Sequence, residues 1–102
     1  MGSRLRGDYL AHDWSAKNLV FVSRTVHEAL EPIRVVMHFQ DGDWSFLDGE
    51  GPYDSDSMVL VHLEHVLERD PNVVDLMDLP RGFEAYRETI DQRWERSETI
   101  DP

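Results

Sequence analysis

With 102 residues, 40% of them hydrophobic and 10% aromatic, the chain is long enough for one hydrophobic core, too short for two and too apolar for disorder. Twenty-one acids against ten bases leave a net charge of −11, which disfavours nucleic-acid backbones and anionic lipid as partners. Cysteine is absent, so disulfides, thiolate catalysis and cysteine metal sites are excluded together.

The stretch from Met1 to Trp14 mixes Arg4, Arg6, Asp8, His12 and Asp13 and has no apolar core of a secretory signal. Residues 1–17 are expected to be a flexible leader, 18–95 a single α+β domain, and 96–102 a frayed tail. No apolar run approaches the roughly 20 residues of a membrane span, and a cysteine-free chain without an export signal is expected in the cytoplasm. Leu19–Val20–Phe21–Val22 is a short β-branched run consistent with a strand buried on both faces. Thr25 to Leu30 suits one helical turn before Pro32. From Ile33 to Phe39 the chain alternates, so Ile33, Val35, Met37 and Phe39 are expected to face the core and His38 to point outward.

Gln40–Asp41–Gly42–Asp43 supplies a hairpin turn with the Asp-Gly signal, and Trp44 and Phe46 alternate in the returning strand. Asp48–Gly49–Glu50–Gly51–Pro52 ends that strand and Tyr53 to Ser57 forms a polar loop. Met58 onward reads as a short strand leading into a helix near His62–Arg69. Asp70–Pro71 restarts a helix, with Asp as N-cap, Pro at the first helical position, and Val73, Leu76 and Met77 on the inner face. Leu79–Pro80–Arg81–Gly82 breaks it. Phe83, Tyr86, Ile90 and Trp94 recur at helical spacing and predict a final helix from about Phe83 to Glu95. The expected fold is therefore a small antiparallel sheet, made of N-terminal strands and a hairpin, packed against C-terminal helices. An exposed edge of such a sheet leaves homodimerisation open, and the sequence does not show which strand forms it.

Chemistry-bearing patterns are sparse. His62–Leu63–Glu64–His65 spaces its histidines three apart, not the four of a zinc-protease helix, and has no third ligand by pattern. His62 and His65 sharing a helical face, with Glu64 beside them, are the residues an enzyme or metal-site alternative would use. Asp41, Asp43, Asp48 and Glu50 do not follow the calcium-loop pattern, because Trp44 to Leu47 interrupt it as a strand. No serine lies in a nucleophile elbow, and no glycine-rich loop with a lysine cradles a phosphate. No catalytic residue and no cofactor is therefore assigned, and a small-ligand pocket between sheet and helices stays as a further alternative.

The charge is uneven. Between Arg34 and Arg69 there is no Lys or Arg, while Asp41, Asp43, Asp48, Glu50, Asp54, Asp56, Glu64 and Glu68 all fall in that interval. Such a stretch either keeps a small protein soluble or attracts a basic partner protein. For the second role the candidate residues are Asp41, Asp43, Asp48, Glu50, Asp54 and Asp56, with Tyr53 as an aromatic anchor.

Phe21–Val22–Ser23–Arg24–Thr25–Val26, Pro32–Ile33, Asp43–Trp44–Ser45–Phe46 with Gly49–Glu50, then Leu63–Glu64–His65–Val66–Leu67, Asp70–Pro71, Leu79–Pro80–Arg81–Gly82 and Arg87 follow one another over roughly residues 18–94. In this order they resemble a small bacterial family of unknown function, grouped with immunity proteins of bacterial toxin systems by gene neighbourhood. Asp43 stands where many members have Gly before Trp. The resemblance implies a non-enzymatic protein-binding module that neutralises a toxin, and it carries no catalytic residue over to this chain.

Overall fold

A computed structural model describes Trp14 and residues 17–99. Along the chain run β1 (Leu19–Ser23), α1 (Arg24–His27), β2 (Val35–His38), β3 (Trp44–Leu47), β4 (Met58–His62), α2 (Leu63–Arg69), a 3-10 helix (Pro71–Leu76), β5 (Phe83–Tyr86) and β6 (Glu95–Glu98). The strands form one six-stranded mixed sheet in the order β4-β1-β3-β2-β5-β6. Among the described residues only β1 and β3 run parallel; every other neighbouring pair is antiparallel. Among the described residues no helix is long and apolar enough to cross a membrane.

The expected sheet packed against C-terminal helices is therefore corrected to a fold that is mostly sheet, with three short helices among the described residues. The segment expected as the last helix is β5, a turn and β6. Phe83 and Ala85 alternate with Glu84 and Tyr86, and β5 completes the free edge of β2 through Val36↔Ala85 and His38↔Phe83. The hydrogen-bonding demand of that edge, together with burial of Ala85, outweighs the 3.6-residue recurrence of Phe83, Tyr86, Ile90 and Trp94. Residues 95–98, assigned by the sequence to a helix end and a tail, pair with β5 as the outermost strand.

Gly82 enables the entry into β5. It has φ +83°, donates to the His38 carbonyl at 2.7 Å and accepts from the Thr99 amide at 2.7 Å. A Cβ there would collide with the Gln40 side-chain amide. Gln40 can swing aside, but the left-handed backbone cannot be relieved, so Gly82→Ala is expected to lower stability by about 1–2 kcal/mol in a urea titration.

The inner face of the sheet carries Val20, Val22, Val36, Phe46 and Ala85 against Leu63 and Val66 of α2 and Val73 and Leu76 of the 3-10 helix. The β2–β3 hairpin forms as expected, in the register His38↔Trp44 to Val35↔Leu47. Its phase differs from expectation. Ile33 and Val36 are buried, three residues apart, so the chain turns between them and β2 starts on the opposite alternation. His38 consequently lies inside, stacked on Trp44 with ring centroids 3.9 Å apart and hydrogen-bonded through Nδ1 to the Leu79 carbonyl at 2.7 Å. β1 likewise buries one face rather than two: Val20 and Val22 point inward, whereas Leu19 and Phe21 are 54% and 40% exposed.

The strand-to-helix reading of Met58–Arg69 matches β4 and α2. Asp70 caps the following helix as expected, accepting from the Asn72 amide at 3.1 Å, although the helix is 3-10. Trp14, placed by the sequence in the leader, instead packs edge-on against Trp44, with centroids 4.9 Å apart. The rest of the expected leader, apart from Lys17, and residues 100–102 of the tail lie outside the described residues.

Candidate partner-binding face

Strand alternation leaves a second, outer face to the sheet. Across it run Leu60, Phe21, Ser45, Met37 and Glu84, linked in register from β4 to β5. Among the described residues α2 and the 3-10 helix pack on the other face, where Val26 of α1 joins the same core. On the outer face Ser45 and Leu47 of the central β3 are only 5% and 3% exposed, while Phe21 and Leu60 stand in the open. Phe21, Met37, Phe39, Leu47, Tyr53 and Met58 line an apolar groove of about 360 Å³, bordered at the loop side by Asp54 and Ser55. Monomeric domains rarely leave aromatic and aliphatic side chains grouped in the open without a use for them.

The seven predicted contact residues do not gather at one spot. Asp41 and Asp43 flank the turn before β3, and Asp48 and Glu50 follow its other end, so the acids sit at opposite ends of a strand roughly 13 Å long. Asp41 is engaged locally, accepting from the Asp43 amide at 3.0 Å. Asp54 organises its own loop by accepting from the amides of Asp56 and Ser57. Glu50 is paired with Arg34 at 3.2 Å, and the same guanidinium holds Glu31 at 3.0 Å and the Asp48 carbonyl at 2.9 Å. Tyr53 stands 47% exposed at the groove's border. Burial, followed by the negative charge of Asp48, pushes its phenol above the usual value.

Asp48 is corrected from contact residue to internal brace, being only 7% exposed. One carboxylate oxygen accepts the Thr25 hydroxyl at 2.7 Å, and the other accepts the Glu50 amide at 2.9 Å and the Gly51 amide at 3.3 Å. Burial alone raises a carboxyl pKa. Here the hydrogen bonds from Glu50, Thr25 and Gly51 and the charge of Arg34 outweigh it, holding the group below its ordinary 3.8. A depressed folded pKa stabilises above the unfolded value and loses that contribution as pH falls through the folded one. Asp48→Asn is thus expected to be less stable than the parent above about pH 5, with the gap closing toward acid, in urea titrations at several pH values.

The histidine pair is also in view. His62 ends β4 and His65 lies in α2, with rings 6.0 Å apart, and His65 Nδ1 is 3.8 Å from Glu68. No group of three or more His, Asp or Glu side chains able to hold a metal is found among the described residues.

The residues that sequence reasoning missed are the outward set of β1, β2 and β4. Their signal was the plain alternation of Leu19-Phe21 and Met58-Leu60-His62, obscured because the intervening positions are apolar as well. Protein-family models, curated proteins and solved structures were compared with the chain, and none matches.

Proposed function

We propose that the protein is a binding module that receives a basic, partly apolar segment of another protein on the outer face of its sheet. The observation that carries this reading is the groove of Phe21, Met37, Phe39, Tyr53 and Met58, with Asp54 at its border and Asp41 and Asp43 at the far end of β3. Apolar anchors in such a groove supply affinity, while the acids select positive flanks and speed encounter. Neutralisation of a basic toxin, the role implied by the family resemblance, is one form of this function.

Defined peptides test it by fluorescence polarisation: one alternating Leu and Lys, its Leu/Glu counterpart, and a Gly/Ser/Lys control. The Leu/Lys peptide is expected to bind and to weaken as salt is raised. Phe21→Glu and Tyr53→Ala should each weaken it about tenfold at a smaller cost in thermal midpoint than a core substitution, since neither side chain belongs to the buried core. Equal binding of the Leu/Glu peptide, or no binding at low salt, rejects the reading.

A further inference from the structure

The two edges of the sheet are built differently. β6, at one edge, is Glu95-Arg96-Ser97-Glu98, exposed and charged along its length. Charged edge strands resist further pairing. β4, at the other edge, is Met58-Val59-Leu60-Val61-His62, a β-prone run without an acid, a lysine or an arginine. Among the described residues no strand pairs with its far side.

The bonds beside β4 fix which of its backbone groups are free. The Ser57 carbonyl accepts from Arg24 and the Leu63 amide donates to Asn18, so the bonded phase of the β1–β4 ladder falls on 57, 59, 61 and 63. In an antiparallel ladder the intervening residues turn both groups the other way. Met58 and Leu60 therefore present both N–H and C=O groups on the open edge, and His62 presents its N–H, its carbonyl being taken by the first turn of α2.

We infer that β4 is a self-complementary edge, and that two copies of the chain pair through it antiparallel about a two-fold axis at Leu60. This register alone engages all three outward residues: Leu60 lies opposite Leu60 of the second copy, and the His62 amide faces the Met58 carbonyl, twice by symmetry. A shift by two residues leaves one of the three unmatched. The pairing places no like charges directly opposite within the strands. It also extends the outer apolar row from Phe21 through Leu60, 51% exposed, into Leu60 and Phe21 of the second copy. Edge pairing of this length is smaller than a standard interface of ~1,600 Å², so the dimer is reversible and concentration-dependent. It extends the sheet sideways, leaves the groove on the outer face open, and stands whether or not a basic partner binds there.

Two measurements on the full chain test it. Sedimentation across a concentration series should show a monomer–dimer equilibrium that tightens about tenfold between low and high salt, because two chains of −11 repel and salt screens that repulsion. This is opposite in sign to the salt dependence of basic-peptide binding, so the two readings fail separately. Leu60→Lys should sediment as a folded monomer. In a chain with no cysteine, Leu60→Cys should cross-link to itself under mild oxidation, since paired Cα atoms roughly 5.5 Å apart suit a disulfide. Mixed Met58→Cys and His62→Cys chains should cross-link to each other, and Ser97→Cys on β6 should not. A monomer at every salt concentration, or Leu60→Cys cross-linking no faster than Ser97→Cys, overturns the inference.

Discussion

Replacing Arg87 by Met is expected to cost about 3–5 kcal/mol, a large share of the 5–15 kcal/mol by which a small domain is stable. Arg87 follows β5 and is 2% exposed. Its guanidinium is bonded to the buried Asp70 carboxylate, donates through Nε to the Ile33 carbonyl at 3.0 Å, and lies 4.1 Å from the Trp94 ring centre. The chain before β2, the cap of the 3-10 helix and the segment leading to β6 thus meet on one side chain. Met fills much of the volume but leaves Asp70 inside without its counter-charge, and that uncompensated charge dominates the loss. Adding Asp70→Asn, which keeps an acceptor for the Asn72 amide, should restore about 1–2 kcal/mol. Urea titrations of the two singles and the double measure the coupling, and additive losses would show that the ion pair is not the source.

Trp44→Ala is expected to cost about 3–5 kcal/mol as well, by a different route. Trp44 is 1% exposed, stacked on His38, edge-on to Trp14 and 6.1 Å from Phe46. Truncation opens a cavity bounded by aromatic side chains too large to close over it, so packing is lost on several sides at once. Trp44→Phe retains part of the stack and should lose less than half as much. Thermal unfolding followed by circular dichroism orders the parent, the Phe variant and the Ala variant.

Local turn chemistry was the most legible part of the fold. Asp41-Gly42 announced the β2–β3 hairpin and Asp70-Pro71 the start of a helix, because both signals depend on only a few neighbouring residues. The segment after Gly82 misled because Phe83, Tyr86, Ile90 and Trp94 satisfy a helical repeat by chance of composition. What decides its structure is the unpaired edge of β2, some 45 residues earlier, which no local pattern contains. His38 was misplaced for a related reason. The phase of β2 depends on the turn at Arg34, whose side chain ties Glu31, Glu50 and the Asp48 carbonyl together.

The candidate site was legible in its charge but not in its shape. The base-free interval from 35 to 68 is plain in the sequence, yet the fold scatters its acids over both ends of β3, the loop before β4 and α2, and draws Asp48 inside. The apolar groove between those ends is assembled from β1, β2, β3 and the loop before β4. A surface drawn from four separated segments leaves no contiguous signature.

The position of β1 between β3 and β4 also bears on how the chain reaches this structure during synthesis. β1 is made first, but its neighbours begin at Trp44 and Met58, and the opposite side of the hairpin is closed only by Phe83–Tyr86. A ribosome-bound chain that has exposed only β1 to β3 holds an apolar strand with no mate on one side and an incomplete sheet on the other. Its early strand must wait for later ones, so the sheet closes only once β4, β5 and β6 have emerged.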